Sequence, residues 1–249
     1  MTPAVAALLF GAGAAAGLTG TVAGLASLFS YPALLAVGLP PTAANVTNTV
    51  ALAAGSAGAI PSSRHELTGQ RVTFRRLGAA CALGSAAGAA LLLATPPGVF
   101  ERVVPFLVGG ASVVILLRQP ARESAGGAHP GRGWLAPCGV FVVSVYGGYF
   151  AAASGVLLLA LLIATVPDGL HRSNALKNVL VIVADLVAAL GFAAFGPVAW
   201  LEALPLAAGL LLGSWLGPHV ARRVPATPLR VGIALAGVGL AVKLGLDAF

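Results

Sequence analysis

Residues 168–190 read DGLHRSNALKNVLVIVADLVAAL. The second half of this run is nearly pure membrane-helix sequence, yet it opens on Arg172, Asn174, Lys177 and Asn178 and carries Asp185 in its middle. At 3.6 residues per turn, Asn174, Asn178 and Asp185 share one helix face, and Lys177 lies roughly 60° to the side. Eleven residues separate Asn174 from Asp185, so the carboxyl sits ~16 Å deeper than the first asparagine. A carboxylate at that depth is costly when ionised, and must be neutral, paired or bathed by a cavity. The stretch therefore predicts a membrane helix with one polar face turned to a protein interior. Lys177 has a simpler alternative, in which it snorkels to the interface and reports only orientation.

Composition extends this reading to the whole chain. Of 249 residues, 58% are hydrophobic and 8% charged, where a soluble domain carries about 25% charged residues; mean hydropathy is +0.96. Apolar stretches near 3–37, 42–61, 72–95, 102–118, 134–166, 173–195, 198–218 and 228–247 leave little chain for an aqueous domain. The expected fold is all-α and polytopic, one transmembrane domain over 1–249. The net charge of +7 is no nucleic-acid footprint, because the basic residues sit at the ends of apolar stretches, where they set topology. Met1-Thr2-Pro3 supplies no positive n-region, so the first stretch is expected to be retained rather than cleaved. Cys81 and Cys138 lack CxxC spacing, which predicts neither a disulfide nor a zinc site. GxSxG, HExxH and P-loop motifs are absent, and His65, His129, His171 and His219 lie in or beside expected loops. These features argue against an enzyme, a metal site or a cofactor.

The chain also repeats. At an offset of 129 residues Asn45 falls on Asn174, Thr49 on Asn178 and Val50 on Val179, and LGSAAG at 83–88 falls on LGSWLG at 212–217. The expected halves are 1–118 and 134–249, joined by a polar linker at 119–133. One crossing per apolar stretch would put the arginine-rich loops on opposite faces, against the positive-inside rule. The conflict disappears if 3–37 and 134–166, which as single helices would reach ~50 Å, are hairpins returning to the side they entered. Their breaks are expected at GLTGTVAG (17–24) and YGGYFAAASG (146–155). Each half then holds a broken-helix hairpin plus three transmembrane helices, the halves are inverted, and both termini lie outside. Inverted repeats with interrupted helices are the usual construction of secondary transporters, whose sites lie where the repeats meet.

In the first half the equivalent helix presents Asn45, Asn48, Thr49 and Ser56 where the second has Asn174, Lys177, Asn178 and Asp185. Two polar stripes should then face each other across the pseudo-two-fold axis; interhelical hydrogen-bond glue is the alternative role for such groups. Broken helices at depth expose backbone N–H groups that favour an anion, which makes Ser154 and Gly155, after Tyr146, a second candidate element. Asp185 is the candidate proton-coupling group. Partners are then the bilayer and a small anion, with no nucleic acid; a non-transporting scaffold and a passive anion channel are the competing readings.

ANVTNTVALAAGSAGAI at 44–60, VYGGYFAAASGVLLLALL at 145–162, HRSNALKNVLVIVADLVAALGFAAFGPVAW at 171–200 and LGSWLGPHVARRVPATPLR at 212–230 resemble the TauE/SafE sulfite-exporter family of transporters. The resemblance implies a plasma (inner) membrane permease for a small anion, sulfur-containing as in sulfite or an organosulfonate. It implies functional positions at Asn45, Thr49, Tyr146, Gly147, Gly148, Ser154, Gly155, Arg172, Asn174, Lys177 and Asn178. The hairpin breaks here read GLASLFSYP and AAASG where many members carry glycine clusters.

Overall fold

The computed structural model describes residues 1–23, 26–56, 71–117, 134–166, 170–221, 235 and 237–246. All regular structure among them is helical. In chain order the helices are α1 (Pro3–Ala23), α2 (Ser27–Ala36), α3 (Pro41–Ser56), α4 (Arg71–Ala94), α5 (Pro97–Leu117), α6 (Leu135–Tyr149), α7 (Ser154–Thr165), α8 (Leu170–Phe195) and α9 (Trp200–Ala221), followed by α10 (Gly237–Leu246). The expected linker at 119–133 and much of the loops that carry the topology argument lie outside the described residues.

Local sequence sets several of these ends. Pro3, Pro41 and Pro97 open α1, α3 and α5, where proline's missing N–H removes no helical bond and its fixed φ suits the first turn. Gly38, at φ +94°, closes α2: the Gly38 amide donates to the Leu35 carbonyl at 2.9 Å and that of Leu39 to Leu34 at 3.2 Å. Only a residue without a Cβ takes that φ at little cost.

Among the described residues, five helices, within α1, α4, α5, α8 and α9, are long and apolar enough to cross a membrane, while α2, α6, α7 and α10 are shorter. Their outward faces carry Leu83, Phe106, Leu190, Phe195 and Leu204, all exposed, whereas Asn45, Asn48, Thr49, Lys177 and Asp185 are buried inside. Bulk apolar groups outside and small or polar groups inside is the arrangement that lipid as a solvent favours. The fold is that of a multi-pass membrane protein.

Glycines then allow backbones to touch. The two most extensive interfaces are α1 with α9 and α4 with α6. A Cβ on Gly209 or Gly213 would strike the Phe10 or Ala14 carbonyl, and one on Gly84 or Gly88 the Phe141 or Val145 carbonyl. In both pairs the contacts advance together along the two helices, so each pair runs parallel, and each joins a hairpin helix of one half to a helix of the other. Gly213 lies 129 residues after Gly84, but Phe141 lies 127 after Ala14; two residues separate the repeat register of the hairpins from that of the other helices. At the hairpin register Ser27, the first residue of α2, matches Ser154, the first residue of α7.

The repeat-equivalent helices α3 and α8 cross each other in opposite directions. Val46 approaches Gly196, the Thr47 hydroxyl accepts from the Ala199 amide at 3.0 Å, and at the other end of α3 Ser56 is a hydrogen-bond partner of Asp185. Alongside, α4 is stitched to α8 by the Cys81 thiol, which donates to the Leu180 carbonyl at 3.2 Å, and the Ser85 hydroxyl, which donates to that of Ala184 at 2.6 Å.

Both hairpins double back. In the second, α6 ends at Phe150, which is extended, and the chain turns at Ala153, held at φ 58° and 2% exposed. The Tyr146 hydroxyl donates to the Ala152 carbonyl at 2.8 Å and pins this break. In the first half, α1 runs on to Ala23, through most of the stretch 17–24 where its glycines suggest a break, and α2 starts at Ser27. Gly17 lies against the Leu210 carbonyl and Gly20 against Ala26, and the Thr19 hydroxyl returns to the Ala15 carbonyl at 2.8 Å. Those small residues serve close packing, not helix breaking.

Two substitutions test this packing. Gly88→Val should lower the stability of the detergent-solubilised protein by about 1–3 kcal/mol or more, read as a fall in melting temperature, while Gly11→Val, which meets open space, should change it little. Ala153 already carries a Cβ in the left-handed region; Ala153→Val adds β-branching and two methyl groups at a site 2% exposed, at an overpacking cost of about 1–3 kcal/mol, and an unchanged melting temperature would contradict the turn geometry.

Candidate functional site

A cavity of ≈ 100 Å³ lies beside the α3/α8 crossing. A buried water needs roughly 10–15 Å³ of such space, so there is room for several waters or one small oxyanion. Ser56 and Asp185 line it near the middle of α8, and Lys177 and Asn178 about two turns toward the start of α8. Gly17, Gly20, Leu210 and Ser214 supply a wall of small and apolar groups from the parallel pair α1 and α9.

Both short hairpin helices begin at this cavity: Ser27, Ser154 and Gly155 line it. The residues before them, Ala26 and Ala153, make no side-chain cap hydrogen bond. Helix starts leave backbone N–H groups without intrahelical partners and carry the positive end of the helix dipole. In ordinary helices a Ser, Thr, Asp or Asn cap satisfies one of them; alanine cannot. The Ser154 hydroxyl donates to the Ala151 carbonyl at 3.0 Å, which stabilises the turn and leaves its oxygen lone pairs free to accept.

Lys177 is 4% exposed, so it does not snorkel to the interface. Its charge adds to the two helix starts. Asp185 is 8% exposed, and its side-chain partner is the Ser56 hydroxyl, which also lies 2.7 Å from the Leu52 carbonyl. Lys177 and the Asp185 carboxyl thus line one cavity eight residues or ~12 Å apart along α8, and Ser154, beside Gly147, reaches it near the Asp185 level.

Of the residues singled out in sequence, Ser154, Gly155, Lys177, Asn178 and Asp185 meet here. Asn45, Asn48 and Thr49 do not line this cavity; they are 1%, 1% and 2% exposed. Asn45 donates its amide to the Tyr149 carbonyl at 2.9 Å, and the Thr49 hydroxyl donates to the Asn45 carbonyl at 3.0 Å. Asn174 is half-buried and Arg172 exposed, both nearer the start of α8. The reason is the antiparallel crossing. The start of α3 lies beside the end of α8, so Asn45 and Asn174 are separated by about 22 residues of α8, or ~33 Å. Tyr146 is also outside the lining, its hydroxyl engaged at the break.

Ser27 and Ser214 line the cavity without having been singled out as site residues, and Ser56 had been placed only on the polar stripe. Ser27 is the repeat mate of Ser154 at the hairpin register, and Ser56 that of Asp185 at 129. Tracking both offsets would have found them. Among the described residues no group of three or more His, Cys, Asp or Glu side chains is placed to hold a metal ion.

Comparison with known proteins agrees with this architecture. The chain is 24% identical over 247 residues to a "Probable membrane transporter protein" of Haemophilus influenzae, covering 97% of this chain and 94% of that one. It is 24% identical over 255 residues to the "Probable membrane transporter protein YfcA" of Escherichia coli strain K12, covering 100% and 92%. A "Probable membrane transporter protein ORF9" of Sinorhizobium sp is 24% identical over 244 residues, covering 97% and 92%. No solved structure matches the chain significantly. Residues 9–244 match the family profile described as Sulfite exporter TauE/SafE, and the chain belongs to that family of membrane transporters.

Proposed function

We propose that the chain is a secondary transporter of a small anion, sulfur-containing as in sulfite or an organosulfonate, that works by alternating access. The observation that carries this reading is the convergence on one cavity of two uncapped half-helix starts, at Ser27 and Ser154, and the buried Lys177. Each is electropositive, and together they offset part of the desolvation of an anion at membrane depth. Backbone N–H groups of the two breaks and the Asn178 amide donate to the substrate's oxygens, and Lys177 supplies the charge. A pyramidal or tetrahedral sulfur oxyanion suits ≈ 100 Å³.

Asp185 is the proposed coupling group. A proton carried with the anion needs a carboxyl in contact with the same water-accessible space, and Asp185 with Ser56 provides one. Asn45, Tyr146 and Asn174 belong to the path or its scaffold rather than to first contact with substrate, and Asn48 and Thr49 do not line this cavity. A scaffold protein would pack the Lys177–Asp185 stripe dry, which the cavity disfavours; a passive channel needs a continuous pore, whereas Asn45 and Asn48, farther along α3, are enclosed.

The proposed topology is two inverted halves, 1–118 and 134–249, in the plasma (inner) membrane. The arginines at the start of α4, Arg71, Arg75 and Arg76, and the start of α8 share the cytoplasmic side, and both termini face out. The antiparallel α3/α8 crossing and the parallel run of α4 beside α8 support this arrangement.

Flux of sulfite, thiosulfate, sulfoacetate and small carboxylates into proteoliposomes tests the reading directly. Saturable uptake of at least one sulfur oxyanion is expected, and none across the panel would overturn it. Lys177→Met removes a charged hydrogen-bond donor worth about 1.5–3 kcal/mol, so transport efficiency should fall roughly 10–100-fold with folded protein still in the membrane. Asp185→Asn should retain anion binding while flux loses its response to an imposed proton gradient; an unchanged response would remove Asp185 from coupling.

A further inference from the structure

Among the described residues, the buried side-chain oxygens without a hydrogen-bond partner are Tyr31 Oη, Thr42 Oγ1 and Asn48 Oδ1. All three lie away from the cavity, on the other side of the Ser56–Asp185 crossing. A polar oxygen enclosed without a partner destabilises the state that encloses it, unless another state supplies water or a ligand. Asn48 is 1% and Tyr31 2% exposed, so neither reaches solvent in this conformation.

Their positions follow from the repeat. Asn48 is the mate of Lys177 and Thr49 that of Asn178, the two residues that line the cavity beyond Asp185. Because α3 runs against α8, Asn48 stands eight residues, ~12 Å, from Ser56 in the direction opposite to Lys177. The same pair of positions thus recurs on the two sides of the crossing, one lining a cavity and the other enclosed.

Two features close the enclosed side. Tyr149 is the last residue of α6, and its carbonyl is one that helix geometry leaves without an intrahelical partner; the Asn45 amide takes it at 2.9 Å and ties α3 to the break. Around that bond, Tyr31 meets Phe150 edge-on at 5.5 Å, and Phe100 meets Tyr149 at 5.7 Å and Phe150 at 6.3 Å. The bond is a single one and the rings are joined by edge contacts, so the closure can come apart without unfolding a helix.

We propose that Asn48, Thr49 and the Tyr31 hydroxyl form a second half-site for the transported oxyanion, held shut here by a gate made of the Asn45–Tyr149 hydrogen bond and the Tyr31, Phe100 and Phe150 rings. The proposal rests on the alternating-access reading and adds to it the location of the opposite half-site and its gate. The donors of this half-site are neutral, the Asn48 amide N–H and the Tyr31 hydroxyl, since the Thr49 hydroxyl already donates to the Asn45 carbonyl, and the Glu101 charge acts on Tyr31; the other side has Lys177. This half-site therefore holds an anion less tightly, and the asymmetry favours loading on the Lys177 side and release on the Asn48 side.

Site-directed thiol labelling tests this in a background with Cys81→Ser and Cys138→Ser. Asn178→Cys and Thr49→Cys are made separately and exposed to a membrane-impermeant thiol reagent from each face, in right-side-out and inverted vesicles. Asn178→Cys should react from one face and Thr49→Cys, more slowly, from the other. Adding Asn45→Ala removes the gate's hydrogen bond and should speed Thr49→Cys labelling roughly three- to tenfold while slowing that of Asn178→Cys. If Asn45→Ala does not accumulate in the membrane, Phe100→Ala tests the same gate with the same expected direction. Labelling of both cysteines from the same face, or a Thr49→Cys that stays inert from both faces with the gate residue removed, overturns the proposal. Opposite-face labelling together with no anion flux would leave the gate standing and remove the anion reading. Normal sulfur oxyanion flux with an inert Thr49→Cys would do the reverse.

Discussion

The contact between Ser56 and Asp185, where α3 and α8 cross, is the constraint that the rest of the fold serves. A carboxyl near the middle of a membrane helix is tolerated only with a partner and access to water. The partner is the residue at the equivalent position of the other half, so the two halves meet there mate to mate. Because α3 and α8 run in opposite directions, mates meet only at this level, and this direction decides which polar residues can share a site and which end up a membrane width apart.

Holding such a crossing together takes more than one hydrogen bond. In lipid there is no hydrophobic drive between helices, so association rests on close packing and on interhelical bonds. The glycine contacts of α1 with α9 and of α4 with α6 supply the first, and Cys81, Ser85 and Thr47 the second. Because each glycine pair joins a helix before residue 119 to one after residue 133, the two parts of the chain are interlocked rather than merely apposed. The short hairpin helices start without side-chain caps beside the cavity, where the positive ends of their dipoles favour water or an anion.

Much of the fold was legible in sequence. Composition and hydropathy identified the all-helical membrane class, the length of 134–166 forced a broken hairpin, and the R-x-N-x-x-K-N run pointed to the family that the comparison establishes. Other features were hidden for physical reasons. GLTGTVAG looks like a helix break because glycine can break a helix, but in a membrane glycine also lets two backbones touch, and Gly17 does the latter. The site residues divided in the same way. Lys177, Asn178, Asp185, Ser154 and Gly155 gather at one cavity, whereas Asn45, Asn48 and Thr49 lie elsewhere, because matched positions in antiparallel mates coincide only at the crossing itself. Ser27, which flanks the break of the first hairpin, pairs with Ser154 only at an offset of 127, two residues short of the 129 that the asparagines reveal.

The central claim is that the two half-helix starts and Lys177 together hold an oxyanion. An experimental structure of the protein equilibrated with selenite, the heavier analogue of sulfite, measures this most directly through the anomalous scattering of selenium. The account predicts one anomalous peak in the cavity, between the first residues of α2 and α7 and the Lys177 ammonium, displaced by an excess of sulfite. A peak elsewhere in the bundle, or a cavity that stays free of selenium at saturating selenite, would contradict it.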